Sequence, residues 1–190
     1  MIDQEKLLCA FIYSAYASGY CGLTLGNEKK RNHMELYKSY IAKGGYYPKK
    51  EIEETQEEIM NHVKISSVRD YIYDEHIDIV TNRIEQEHQS DFRKLINSKN
   101  QFVVYAAVSC PVNFYEVIKL KDSNLVGKNI ISGIEKELFI LDGLEKPKLG
   151  DLVSGHWSYF LEIVDSLPGF QKYKNRLASH YKTIKESLKN

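Results

Sequence analysis

The chain has 190 residues, enough for one large or two small domains, and 43% of them are hydrophobic, which supports a packed core and excludes general disorder. Lysine plus arginine equal aspartate plus glutamate, at 26 each, so no global basic field for nucleic acid exists. The three cysteines, Cys9, Cys21 and Cys110, are too few and too scattered for a disulfide framework. Their odd number favours a reducing, cytoplasmic setting.

Helical patterns fill the first hundred residues. The stretch LLCAFIYSAYA (7–17) has apolar residues spaced by three and four, and we interpret it as a buried helix because its acidic flank MIDQEK is wrong for a signal peptide. No apolar run reaches the roughly 18 residues that a membrane span needs, so no membrane association is expected. Further helices are expected at about 28–42 and 50–62 and along 66–97. The sequence therefore predicts a helical domain over residues 1–99.

Short β-type runs begin near residue 100. Four segments are rich in β-branched and aromatic residues and are separated by glycine, proline and asparagine: QFVVYAAVSC (101–110), FYEVIKLKDSN (114–124), LVGKNIISGIEKELFILDGL (125–144) and LVSGHW (152–157). They predict about five strands, enough for a small OB-like barrel over 100–157. Apolar residues from Tyr159 to Val164 predict a return to helix. Residues 158–190 are then a C-terminal helical segment packed back on the rest, which makes the fold class α+β.

Histidines of the helical part form one candidate site. His62, His76 and His88 converge if their helices pack antiparallel, and with nearby acids they would define a metal-dependent enzyme. The alternative is that all three are structural, since the single E-x-x-H at Glu85–His88 is one copy where a di-iron bundle needs two. Cys21 lies between turn residues in YCG (20–22), where an exposed thiol is either a binding residue or inert.

A second candidate site combines Cys110 with His156, each near a predicted strand end. A thiolate and an imidazole together suit zinc or iron if they meet in space. Ligands of one ion lie roughly 3–4.5 Å apart, so the distance from Cys110 Sγ to His156 decides this prediction. Asp151 and Trp157, the only tryptophan, flank the strand and complete the candidate binding set. The structural alternative is that Gly-Asp makes a turn, His156 bonds a neighbour and Trp157 covers one barrel end.

The stretch GDLVSGHWSYFLEIVD (150–165) carries a resemblance. Its G-D-x-V-x-x-H element, followed by E-x-x-D from Glu162 to Asp165, resembles the end of the barrel in the small hydrogenase-assembly chaperones of the HypC/HupF family. Residues 110–165 resemble that family more loosely, with an internal Cys110 where the family has a cysteine next to its initiator methionine. The whole chain also looks like an uncharacterised prokaryotic family with a HypC-like tail.

The resemblance implies a barrel that carries an iron fragment, with cyanide and carbonyl ligands, to a hydrogenase large subunit and holds it at Cys110 and His156. The leading hypothesis is therefore a non-enzymatic accessory or assembly protein with a protein partner, a metalloenzyme subunit by resemblance. One alternative is an OB-like module that binds nucleic acid, since residues 166–190 carry five lysines and one arginine against one glutamate. The other is the metal-dependent enzyme built on the helical histidines.

Overall fold

The computed structural model describes residues 4–18, 67–77 and 101–188. Helix α1 spans Gln4–Ser18, and a second helix begins with a short α-helical turn, α2 (Val68–Asp70), and continues as a π-helical segment over Tyr71–Glu75. The remaining elements are helix α3 (Gln101–Ser109), strands β1 (Asn113–Leu120), β2 (Asn124–Asn129), β3 (Glu135–Phe139), β4 (Leu152–His156) and β5 (Tyr159–Ile163), and helix α4 (Phe170–Ser187).

The five strands form a closed barrel in the order β1-β2-β3-β5-β4. Every neighbouring pair is antiparallel except β3 and β5, which are parallel and meet at the Phe139–Tyr159 pair. Strand β4 lies between β1 and β5, with Asn113 opposite Gly155 on one side and His156 opposite Tyr159 on the other. The prediction of a five-stranded barrel and of an α+β fold is thus confirmed.

The core extends from inside the barrel to the helices packed on it. Barrel side chains and the apolar face of α1 belong to one buried cluster, which includes Leu7, Phe11, Ile12, Phe114, Leu125, Leu138, Val153 and Phe160. Four of the five residues of β4, from Val153 to His156, are buried. Helix α1 also packs against β4 and β5, so this part of the barrel has protein on both of its faces. A polar side chain on the outer face of β4 is therefore buried between the strand and α1.

Two segments differ from the prediction. Residues Gln101–Ser109 form helix α3 and not a strand, so the barrel begins at Asn113 and not near residue 100. Residues Tyr159–Ile163 form strand β5 and not the start of a helix, so the barrel ends beyond residue 157. Periodicity alone does not separate a buried strand from a buried helix in apolar runs this short. Tertiary contacts decide: α3 packs on α4, and β5 pairs with β4 through a two-residue turn.

The predicted N-terminal domain is described only in part. Residues 4–18 and 67–77 are helical, in keeping with the prediction for those segments. The helices expected at about 28–42 and 50–62, and the rest of the segment 66–97, lie outside the described residues. None of the helices in the described ranges is long and apolar enough to cross a membrane.

Candidate metal centre

Three ligand-type side chains meet where the helices pack on the barrel. His76, Cys110 and His156 each offer one donor atom, and these atoms all lie within 4.8 Å of one another. Cys110 Sγ is 4.0 Å from His76 Nε2. Cys110 and His156, which the sequence analysis pairs, therefore lie close together. His76, which the sequence analysis groups with His62 and His88, lies beside them.

Two of the three donors lie at the end of an element, and the third lies in the helical turn after the π-helical segment. His76 follows the π-helical segment, and its backbone N–H donates to the carbonyl of Tyr71, five residues earlier. Cys110 follows the last residue of α3, and His156 is the last residue of β4. Element ends leave side chains less constrained by neighbours on the same element, and π-helical turns occur often at functional sites. The arrangement brings three separate segments to one point.

A buried ion pair fixes the helix that carries His76. The guanidinium of Arg69 donates from Nε and Nη2 to both carboxylate oxygens of Glu162, at 3.0 and 2.9 Å. The Tyr73 hydroxyl donates to the same carboxylate at 2.9 Å and lies 2.8 Å from the Ser154 hydroxyl. Glu162 belongs to β5 and is fully buried. Because Arg69 and Tyr73 come from the turns just before His76, this network positions His76 against the barrel.

Ser14 of α1 determines the protonation of the His156 ring. Its hydroxyl donates to the Phe11 carbonyl at 2.6 Å, and its oxygen lies 2.6 Å from His156 Nδ1. A hydroxyl has one proton. If that proton goes to the Phe11 carbonyl, Ser14 Oγ accepts from Nδ1–H and the lone pair of the neutral ring is on Nε2. This Nε2 atom is buried and has no hydrogen-bond partner within the described parts of the chain. A histidine held through one nitrogen with the other nitrogen bare is the arrangement found around metal ions.

The surroundings of His156 also favour its neutral form. The ring is fully buried and stacks on Phe11, with centroids 4.4 Å apart and planes 21° apart. Burial, followed by the neighbouring His76, holds the pKa of His156 well below its usual range, against the opposing effect of the Phe11 and Cys110 carbonyls. Only a neutral imidazole binds a metal. Phe11 also contacts His76 edge-on at 5.0 Å, so one aromatic ring orients both histidines.

The backbone after His156 is held in an uncommon conformation. Trp157 has φ of 52° and, within the described ranges, it is the only residue other than glycine with positive φ. A bulky residue there costs of the order of 1–3 kcal/mol, and such residues are frequent at functional sites. The Trp157 N–H donates to the Ser109 carbonyl at 3.2 Å. This bond ties the segment after His156 to the residue before Cys110, and so fixes the distance between two donors.

The donor set defines the class of metal. In a tetrahedral site with Zn–S near 2.3 Å and Zn–N near 2.0–2.1 Å, the donors lie roughly 3.3–3.6 Å apart. Cys110 Sγ and His76 Nε2 are 4.0 Å apart, and no two of the three donor atoms are more than 4.8 Å apart. An ion would therefore draw the donors together by up to about 1.5 Å, through side-chain rotation. One sulfur and two nitrogens suit zinc, iron or copper, whereas magnesium and calcium prefer oxygen. Among the described residues no fourth histidine, cysteine, aspartate or glutamate joins the cluster.

The other residues singled out from the sequence lie elsewhere. Asp151 makes a turn, since its carboxylate accepts from the Lys148 N–H at 2.7 Å. Trp157 adjoins the centre, but Phe11 and not Trp157 stacks on the His156 ring. Cys21, His62 and His88 lie outside the described residues. Sequence reasoning missed Ser14 entirely, because a serine inside an apolar helix carries no pattern that marks it as a partner of a distant histidine.

Comparisons of the chain with protein-family profiles, with curated proteins and with solved structures find no match.

Proposed function

We propose that the protein binds one transition-metal ion through His76, Cys110 and His156 and acts as a non-enzymatic accessory protein that passes the metal, or a metal fragment, to a partner protein. One observation carries the proposal: three donors of the right chemistry meet within 4.8 Å. The bare Nε2 of His156 supports it, since a buried nitrogen lone pair without a hydrogen bond is costly unless a ligand uses it.

Three protein donors suit a carrier better than a closed structural site. Structural zinc has four protein ligands, whereas three ligands leave a position for a ligand that comes with the metal or from an acceptor. The two histidines are buried and Cys110 is only half-buried. An acceptor thiolate would therefore reach the ion from the Cys110 side. A small ligand such as cyanide or carbon monoxide, which the HypC/HupF resemblance implies for an iron fragment, would fit the same position.

The partner is part of the proposal. Ile134 and Leu149, in the loops before β3 and before β4, are 64% and 65% exposed. We propose that these exposed side chains contact the partner, which by resemblance is a metalloenzyme subunit. A cytoplasmic location, which keeps thiols reduced, belongs to the same proposal.

The nucleic-acid alternative has less support. Its main argument is the basic C-terminal helix, yet Lys172 and Arg176 of α4 both pair with Asp74. Lys182 pairs with Glu186 one turn later, at 3.8 Å. These contacts neutralise part of the positive charge, so α4 presents a weaker field than its sequence alone indicates.

The first experiment measures metal content and cobalt binding. Protein purified without oxygen is analysed for zinc, iron and copper, and the metal-free chain is titrated with Co²⁺, whose sulfur-to-metal absorption band reports thiolate ligation. We expect one ion per chain, and less than about a tenth of that in Cys110→Ser, His156→Ala and His76→Ala.

Two variants are matched controls. His180→Gln removes another buried histidine, whose Nε2 bonds to the Ala107 carbonyl at 2.9 Å, and Cys9→Ala removes another buried thiol. Both are expected to keep the metal. If the wild-type chain binds no ion, or if the three ligand variants bind as well as the two controls, the site is wrong.

A second experiment separates a carrier from a structural site. The loaded protein is mixed with a coloured chelator, and release is followed together with circular dichroism. A carrier releases its ion within minutes and stays folded. Retention for hours, or unfolding on release, would contradict delivery while leaving the metal site itself in place.

A further inference from the structure

A large cavity lies beside the candidate metal centre. It is a half-open cleft with a volume of about 950 Å³, and it is lined by residues of α3, α4 and the first three strands of the barrel. Apolar side chains form much of its wall: Val104, Val108, Ile134 and Leu188, with the rings of Tyr115 and Tyr181. Sites for small molecules are usually concave, mostly apolar and about 300–1,000 Å³ in size, so this cavity has the dimensions of a ligand site.

One cation, Lys136, and two carboxylates, Glu135 and Glu137, line this space. Lys136 lies in β3 between Glu135 and Glu137. Its side chain is half-buried, whereas both of these neighbours are exposed. Its Nζ is 3.3 Å from Ser109 Oγ and 5.2 Å from the centroid of the Tyr105 ring. Within the described residues it forms no ion pair with a carboxylate, whereas Glu137 pairs with Lys121 at the rim. Lys136 is therefore a partly desolvated ammonium whose neighbours are hydroxyl groups.

Further hydroxyl groups surround the ammonium. Burial would raise the pKa of Tyr105, but the Lys136 charge and hydrogen bonds from Ser158, Ser109 and Lys136 outweigh it, and the pKa falls below the usual 10.0. Burial also lowers the pKa of Lys136. Burial therefore works against the charged form of Lys136, whose partners here are the hydroxyl groups of Ser109 and Tyr105. An ammonium in this setting gains strongly from an anionic oxygen, because a charge-assisted bond is about twice as strong as a neutral one.

We infer that this cavity is a second ligand site, which takes a small molecule with an apolar body and a single carboxylate or similar oxyanion. The apolar body lies against the α3 and α4 side chains. The oxyanion accepts hydrogen bonds from Lys136 and from the hydroxyl groups of Ser109 and Tyr105. The inference does not depend on metal binding, since none of these side chains is a metal ligand.

Two dyes that differ in charge test the inference on the full chain. Anilinonaphthalene sulfonate has an aromatic body and one anionic group, and phenylnaphthylamine has a similar body without charge. Trp157 is the only tryptophan and its ring lies 5.9 Å from Tyr105, so energy transfer from tryptophan reports a dye in this cavity. We expect one saturable site for the sulfonate and weaker binding of the neutral dye.

Three variants test which residues bind the two dyes. Lys136→Met keeps the length of the side chain but removes its charge, and we expect its affinity for the sulfonate to fall tenfold or more, with little change for the neutral dye. Lys128→Met, at an exposed position of β2, is the matched control and should bind like wild type. Val108→Phe fills the cavity from α3 and should weaken both dyes. Circular dichroism and thermal unfolding confirm that each variant is folded.

Three outcomes would overturn the inference. The first is no saturable sulfonate binding in the wild-type chain. The second is a Lys136→Met protein that is folded and binds the sulfonate as tightly as wild type. The third is tighter binding of the neutral dye than of the sulfonate, which would identify a purely apolar cavity.

Discussion

Ser14 offers the sharpest test of the metal centre, because it touches His156 without being a ligand. In Ser14→Ala the His156 Nδ1–H loses its acceptor at 2.6 Å, inside a fully buried region. An unsatisfied buried donor costs about 1–3 kcal/mol in the free energy of unfolding. Loss of a residue that orients a metal-bound histidine costs about ten- to a hundredfold in affinity. Since each tenfold change in affinity corresponds to about 1.4 kcal/mol, this loss is about 1.4–2.8 kcal/mol in the free energy of metal binding. The free energies of unfolding and of metal binding should therefore fall by similar amounts.

Two measurements on the same variant check this reasoning. Urea unfolding of the metal-free protein gives the change in stability, and competition with a chelator gives the change in metal affinity. Ser14→Thr keeps the hydroxyl and should recover most of the affinity, while Ser123→Ala alters an exposed turn and should change neither quantity. A Ser14→Ala protein with wild-type affinity for metal would refute the assignment of Nε2 as the donor atom.

Three further perturbations test the structure around the two sites. Glu162→Gln removes the buried charged partner of Arg69 and should lower the free energy of unfolding in urea by about 3–5 kcal/mol. Glu137→Gln, in an exposed ion pair, should lower it by less than about 1 kcal/mol. Equal losses in the two variants would contradict the role of Glu162 in holding the helix of His76. Tyr105→Phe should remove one phenolate that forms below pH 10.0 in an ultraviolet titration, because Lys136 and neighbouring hydrogen bonds lower the pKa of Tyr105 in spite of burial. An unchanged titration curve below pH 10.0 would contradict this shift. Gly127→Ala should destabilise the barrel by about 1–3 kcal/mol in thermal unfolding, because a Cβ there would lie 2.6 Å from the Cβ of Tyr115, and an unchanged melting temperature would contradict this close approach.

The pairing of Cys110 with His156 could be predicted from the sequence, and the reason is local. Gly150 and Asp151 mark a turn, and a strand of five residues then carries His156 to its end whatever the rest of the chain does. The cysteine precedes the first barrel strand, which pairs with β4. Two residues at neighbouring ends of paired strands lie close together, but the sequence favoured this pair mainly through the HypC/HupF resemblance, because the sequence pattern placed Cys110 at the end of a strand where the structure has helix α3.

The place of His76 could not be predicted, because it depends on contacts between segments far apart in sequence. Its helix is held by Arg69 and Glu162, which are separated by 93 residues. Nothing in the local pattern around either residue identifies the other. The same limit explains α3: its apolar run suits a strand equally well, and only packing against α4 selects the helix.

The ligands also stand far apart along the chain, with 34 residues between His76 and Cys110 and a longer stretch, including most of the barrel, before His156. No short peptide therefore contains two of these three donors. A growing chain on the ribosome cannot bind an abundant ion through a local pair of them. His156 lies at the end of β4, which pairs with β1 and β5 in the folded barrel. If the proposed centre binds a metal, the choice among metals would therefore be made by the folded barrel, after translation, through the positions of the three donors and the protonation of His156.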